Sequence, residues 1–315
     1  MQKSGGGWAD RALAAPPDGP RARVTPQRYG EVVTRNPLGA FSPPVREWFE
    51  TAFPAPTEAQ AAGWPAIAGG EHTLILAPTG SGKTLAAFLW AIDRLATEPV
   101  PPTAERTRVL YVSPLKALAV DVEKNLRSPL VGIRHAAERR GEQVHEPTIG
   151  MRTGDTPSRE RQALVRHPAD ILITTPESLY LMLTSRARET LRSVRWVIVD
   201  EIHAVAGTKR GAHLALSLER LEAIATTAPQ RIGLSATQRP LDEIARFLGG
   251  RTQSGPRPVS VVDAGMRKEL DVEVIVPVED MGALGELLPP SPEAEPGTAV
   301  HGRASIWPHV HPRVL

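Results

Sequence analysis

The chain has 315 residues, room for one large domain with irregular flanks. Its 37 basic residues stand against 35 acidic ones, a net charge of +2, so any contact with nucleic acid must be local. Cysteine is absent, which excludes disulfides, thiolate zinc sites and Cys-ligated iron–sulfur clusters, and with no apolar run near a membrane span and no hydrophobic signal core the expected place is the cytoplasm, with no membrane partner.

Residues 1–37 are rich in Gly, Ala, Pro and Arg and read as a disordered or weakly ordered leader. Phe41, Val45, Trp48, Phe49 and Phe53 then recur at near-helical spacing, the pattern of a packed amphipathic helix, until Pro54-Ala55-Pro56-Thr57 breaks it. Gln60 follows, a neutral amide whose donor and acceptor suit the edge of an adenine.

The apolar run Leu74-Ile75-Leu76 leads into Ala77-Pro78-Thr79-Gly80-Ser81-Gly82-Lys83-Thr84, and helical periodicity resumes from Leu85 to Leu95. Strand, Gly-rich turn and helix together form a phosphate-binding context. Gly80 and Gly82 permit a turn tight enough for successive N–H groups to face a polyphosphate, and the following helix adds its positive dipole end. Lys83 is placed to reach the β- and γ-phosphates and Thr84 to hold Mg²⁺, so ATP with Mg²⁺ is the expected cofactor. Ala77 stands where the strict pattern has Gly. Lysine occurs only at 3, 83, 116, 124, 209 and 268 in an Arg-rich chain, so its presence in this loop marks a site for a compact ammonium.

Alternating strand and helix units come next, the pattern of an α/β fold with a doubly wound, mostly parallel sheet covered on both faces. Strands are expected at 108–112, 148–151 and 171–174, each ending in a polar turn. The turns are Ser113-Pro114-Leu115-Lys116, Arg152-Thr153-Gly154-Asp155-Thr156 and Thr175-Pro176-Glu177-Ser178. In a doubly wound sheet they gather on the edge where ligands bind. Their hydroxyls, helix N-termini and single cations suit nucleic-acid phosphates, and the same residues also serve as ordinary helix caps. The arginines at 127, 134, 139, 140, 152, 159, 161 and 166 are interleaved with acids and read equally as a solvated helical face.

Trp196-Val197-Ile198-Val199 is a strand tipped by Asp200-Glu201-Ile202-His203. A carboxylate there is costly unless it meets a cation, and Mg²⁺ near Thr84 supplies one to Asp200. Glu201 is placed to polarise an attacking water, and His203 to relay the nucleotide state. A strand over 231–234 ends in Ser235-Ala236-Thr237, whose hydroxyls are expected to bond the acidic turn and couple to hydrolysis. Beyond it, 259–262 and 270–276 alternate like strands, 287–297 reads as a linker, and His301, His309 and His311 read as a polar tail.

The ordered series PTEAQ (56–60), APTGSGKT (77–84), SPLKALA (113–119), TTPESL (174–179), DEIH (200–203) and SAT (235–237) resembles the motor core of superfamily 2 DEAD/DEAH-type helicases. Within it, LSATQRPLDEIARFLGG (234–250), VVDAGMRKELDVEV (261–274) and SIWPHVHPRVL (305–315) resemble the Lhr (large helicase-related) group. The resemblance implies a RecA-like P-loop NTPase domain over 38–276, and a linker with the start of a second lobe over 277–315. It implies that Gln60 recognises adenine, that Thr79, Gly80, Ser81, Gly82, Lys83 and Thr84 hold the phosphates, and that Asp200 and Glu201 carry metal and water. It also implies that Pro114, Leu115, Lys116, Thr153, Gly154, Thr175, Pro176 and Ser178 track one strand of nucleic acid, DNA before RNA, and hence a role in repair. Either Phe41 or Phe53 is left to stack on the adenine. Helicases of this type close two lobes on ATP and take their arginine fingers from the second, and the loss of a finger costs roughly 10³ to 10⁵ in rate. The chain by itself is therefore expected to bind nucleotide weakly and neither to hydrolyse it fast nor to unwind duplexes; its oligomeric state is left open, with a monomer favoured. A non-catalytic ATP- and nucleic-acid-binding module, and a P-loop ATPase acting on another macromolecule, are the competing readings.

Overall fold

The computed structural model describes residues 36–236 and 239–265, all within Met1–Met266, the first of two compact units of the chain. All but the last residues of the expected leader, Thr237, the strand expected at 270–276, the linker and the tail histidines lie outside the described residues.

Seven parallel strands form one sheet in the order β3 (Ile149–Arg152), β4 (Ile171–Thr174), β2 (Val109–Val112), β5 (Trp196–Val199), β6 (Gln230–Ser235), β1 (Thr73–Leu76) and β9 (Ser260–Asp263). A short antiparallel hairpin, β7 (Arg251–Thr252) with β8 (Gly255–Pro256), stands apart from it. The central strands are short apolar runs because both of their faces are covered. Ile75, Val109 and Tyr111 point into one core with α1 (Pro43–Ala52), α2 (Glu58–Ala68), α3 (Lys83–Thr97) and α4 (Lys116–Arg139). Leu74, Leu110 and Val112 point into the other with α6 (Pro176–Leu183), α7 (Lys209–Ile224) and α8 (Leu241–Gly249). The remaining helix, α5 (Ser158–Arg166), lies against the edge strand β3, where a side chain on Gly150 would stand 2.7 Å from Leu164.

The structure adjusts several boundaries. The strand expected at 259–262 is β9, shifted by one residue, its register against β1 pairing Leu74 with Val261. The arginines of α4 and of its C-terminal cap are a solvated surface: Arg127 pairs with Glu123, Arg134 with Glu138 and Glu146, and Arg139 and the capping Arg140 with Glu47. Among the described residues no helix is long and apolar enough to cross a membrane.

Because every strand of the large sheet runs the same way, all of the turns that follow them share one edge. The Gly-rich turn leaves β1 and the acidic turn leaves β5, with β6 between the two. The chain leaves β1 for β2 in one direction along the sheet and leaves the neighbouring β6 for β9 in the other, and such a reversal in strand order opens the ligand crevice of a doubly wound sheet.

Candidate active site

Gly80 and Gly82 both adopt left-handed backbone, φ 82° and 77°, which side-chain-bearing residues rarely accept. Gly82 caps α3 without any side-chain hydrogen bond, so the first N–H groups of that helix remain available to an anion. Ser81 closes the turn on itself, its hydroxyl donating to the Pro78 carbonyl at 2.7 Å. Ala77, the departure from the strict motif, is wholly buried and its N–H donates to the Ser235 carbonyl at 3.2 Å, which ties the loop to β6.

The loop is also held from the α2 side. Thr57 and Gln60 form a reciprocal cap on α2, and the Thr57 hydroxyl donates to the Ser81 carbonyl at 2.8 Å. The Gln60 amide accepts from the Thr57 N–H at 3.0 Å and donates to the Gly82 carbonyl at 3.4 Å. Gln60 thus couples the helix cap to the phosphate loop, with one N–H and one lone pair left over. Thr57 was not foreseen as part of the site, and its signal was the capping pattern Thr-x-x-Gln. Of the two aromatics left open for the adenine, Phe41 is excluded. It is 3% exposed, with its ring edge-on to Trp64 at 5.0 Å in the core. Phe53 is 38% exposed beside Phe49 and Trp48.

Lys83 is buried, its ammonium 3.4 Å from the Ala77 carbonyl and 3.9 Å from a Glu201 carboxylate oxygen. Glu201 holds φ 45°, the one left-handed non-glycine among the described residues, and this bend turns its carboxylate back toward the loop. Its other oxygen lies 3.2 Å from His203 Nδ1. That nitrogen also faces the Ser235 hydroxyl at 3.3 Å and accepts the Ala236 N–H at 3.2 Å, so His203 joins the acidic turn to the end of β6.

Asp200 is 5% exposed. One oxygen accepts the Glu201 N–H at 2.8 Å and the other accepts the hydroxyl of Tyr111, a wholly buried residue of β2. Burial pushes the Asp200 carboxyl above the usual carboxylate range, while the Tyr111 hydrogen bond pulls it back. Burial and the adjacent carboxylate raise the Tyr111 phenol far above its ordinary value, so it stays a neutral donor. Tyr111 escaped the sequence reading because within Val109–Val112 it looks like any core aromatic.

The residues fit a metal bound together with its nucleotide. Among the described residues no three His, Asp or Glu side chains cluster to hold a cation unaided. One buried carboxylate, with a threonine, Thr84, in the first turn of α3, would suit a Mg²⁺ that takes its remaining ligands from phosphates and water.

The expected strand track is only partly on the surface. Leu115 and Lys116 are exposed, as is Gly154, and the Lys116 ammonium pairs with Asp155, joining the turns after β2 and β3. Pro114, Thr153, Thr175, Pro176 and Ser178 are buried. Thr175 caps α6, its oxygen accepting the Ser178 N–H and its hydroxyl donating to the Ser178 hydroxyl at 3.2 Å. The hydroxyls expected to meet phosphates there are spent on capping, and the exposed Glu177 beside them is clamped by Arg210 at 2.5 and 3.0 Å.

A doubly wound parallel sheet, a Gly-rich turn with its lysine after β1 and an acid pair at the crevice after β5 define a RecA-like P-loop NTPase. The chain belongs to the DEAD/DEAH box helicase family, whose profile matches residues 57–244. It is 58% identical over 280 residues to "Lhr helicase/ probable uracil glycosylase" of Mycolicibacterium smegmatis, covering 89% of this chain and 17% of the relative. It is 53% identical over 281 residues to "Lhr helicase/uracil glycosylase" of Escherichia coli, covering 87% and 18%. The solved structure of Mycobacterium smegmatis helicase Lhr bound to ssDNA and AMP-PNP superposes with a TM-score of 0.72 at 57% identity, covering 89% of this chain and 33% of that one. The chain thus spans about a sixth of the length of these curated bacterial relatives.

Proposed function

We propose that residues 38–276 form the ATP-binding motor lobe of an ATP-dependent helicase of the Lhr type, which couples ATP hydrolysis to movement along single-stranded DNA. The observation that carries it is the meeting of Lys83, Asp200 and Glu201 at one crevice, with Lys83 3.9 Å from Glu201 across the Gly-rich loop. In this reading the loop from Thr79 to Thr84 cradles the phosphates, Gln60 and Phe53 receive the adenine, and Thr84 with Asp200 would hold Mg²⁺. The bound Mg²⁺ would neutralise charge on the phosphates. Lys83 gives up its contacts with Glu201 and Ala77 for phosphate oxygens, which frees the Glu201 carboxylate to orient and polarise water. His203, bonded to Ser235 and Ala236, passes the change to the end of β6.

On the outer edge, Lys116, Leu115 and the backbone around Gly154 and Thr175 follow the phosphates of one strand, in agreement with the ssDNA held by the Mycobacterium smegmatis relative. Rapid hydrolysis belongs to a two-lobed protein acting in DNA repair in the cytoplasm. The test is ATP turnover by this chain with and without single-stranded DNA, beside Glu201→Gln. Nucleotide and strand binding with turnover no faster than in the variant supports a lobe that awaits a partner lobe. Turnover of order 1 s⁻¹ that rises with DNA and vanishes in the variant would refute that dependence. Failure to bind any oligonucleotide would refute the helicase reading.

A further inference from the structure

A groove of about 500 Å³ lies beside the track between α5 and the segment that follows α6. Arg152, Arg161, Arg166 and Arg186 line it, with Val165 and Ala187 among its apolar wall. Elsewhere in the described residues arginines commonly meet carboxylates, as Arg127 does with Glu123 and Arg210 with Glu177. Here, among the described residues, none of the four guanidinium groups forms an ion pair, and no acid lines the groove. Burial and the neighbouring Arg161 push the Arg152 guanidinium below its ordinary value, the mark of cations gathered without a counter-charge.

The groove is continuous with the turn after β3. Arg152 ends that strand, and Arg161 donates to the carbonyls of Thr156 at 2.7 Å and Gly154 at 2.6 Å. These bonds fix one guanidinium at the junction, and Arg166 lies further along the same helix. Arginine's planar fork matches phosphate geometry, and four of them on a shallow apolar floor suit an extended polyanion better than a small buried ligand.

We propose that this arginine groove is a second phosphate-binding site, which takes the sugar–phosphate backbone of nucleic acid as it runs off the strand track past Gly154. The proposal rests on the track reading of Lys116 and its neighbours. Four arginines from three separate segments converge there, and Arg166 and Arg186 are free to meet a ligand without disturbing the core.

The test measures binding of a short single strand of roughly 6 nucleotides and a longer one of roughly 20 by fluorescence anisotropy across a salt series. The 315-residue chain is compared with its R166Q/R186Q double variant and with Lys116→Ala, and thermal melting checks that each variant is folded. The double variant is expected to keep wild-type affinity for the short strand. It should lose about tenfold for the long one, with its salt slope shallower by about 1.4, the contribution of two phosphate contacts on a single strand. Lys116→Ala should weaken both lengths. Unchanged long-strand binding and salt slope in the folded double variant would overturn the groove while leaving the track intact. If Lys116→Ala has no effect and the double variant weakens both lengths equally, the groove binds nucleic acid but the track reading fails, and with it the claim of a second site. If a double variant that binds less has also lost its melting transition, the single variants Arg166→Gln and Arg186→Gln decide: weaker long-strand binding with a shallower salt slope in a folded single variant supports the site, and unchanged long-strand binding in both overturns it.

Discussion

The hydroxyl of Tyr111 donates to the carboxylate of Asp200, Tyr111 standing on β2 opposite Ile198 of the adjacent β5 and Asp200 in the turn that directly follows β5. The bond fixes one oxygen of a buried acid while the Glu201 N–H fixes the other. Asp200 is thereby aimed before any cation arrives, and a hydrogen bond to a charged group of this kind is worth about 1.5–3 kcal/mol.

Tyr111→Phe removes that donor and leaves the ring packing against Phe88 in place. Since the Tyr111 bond holds the Asp200 carboxyl down against the opposing effect of burial, its loss lifts the carboxyl further. The acid limb of Mg²⁺-dependent nucleotide binding should move to higher pH, with little change on the alkaline side. Titration of Mg·ATP affinity against pH checks this, and an unmoved acid limb would assign Tyr111 to packing alone.

Asp200→Asn tests the same carboxylate through stability. A carboxyl whose folded value lies above its unfolded one binds its proton more tightly when folded, so its contribution to stability falls as pH rises from the unfolded value of 3.8 through the raised folded one. At neutral pH the ionised buried acid is a liability that the neutral amide lacks, since Asn accepts from the Glu201 N–H and donates to Tyr111 instead. In metal-free buffer the variant should melt above wild type at pH 7 by about 2–4 °C per kcal/mol, the gain shrinking toward pH 4. With Mg·ATP added the order should reverse, because only wild type gains from the ligand.

Gly82→Ala places a methyl group 2.6 Å from the Gln60 amide nitrogen at a backbone angle of φ 77°. The left-handed conformation alone costs a non-glycine residue about 1–2 kcal/mol. The amide must also move, so nucleotide affinity should fall by more than stability does. Thr57→Ala makes a milder version, removing an N-cap worth about 1 kcal/mol together with the bond to Ser81. Thermal melting and nucleotide titration of both variants separate the two effects.

The sheet was legible because its central strands are continuous apolar runs, each closed by a motif turn. Asp200 and Glu201 stood out because carboxylates at the tip of Trp196–Val199 demand a partner. The partner itself was hidden: Tyr111 becomes a donor only once β2 and β5 are neighbours in register. The turns after β2, β3 and β4 carried two meanings that composition could not separate. Structure gives the Thr175 and Ser178 side chains to capping and leaves Lys116 exposed. The arginine groove was invisible for the same reason. Arg152, Arg161 and Arg186 come together only because α5 folds back over Gly150 onto the edge strand.

The central claim is that the Gly-rich loop binds Mg·ATP through a Lys83 drawn away from Glu201. Equilibrium titration of Mg·ATP against wild type and Lys83→Ala, each checked for melting, tests it most directly. The account predicts saturable binding by wild type, at least about tenfold weaker in the variant, about 1.4 kcal/mol. Equal affinity in two folded proteins would contradict it.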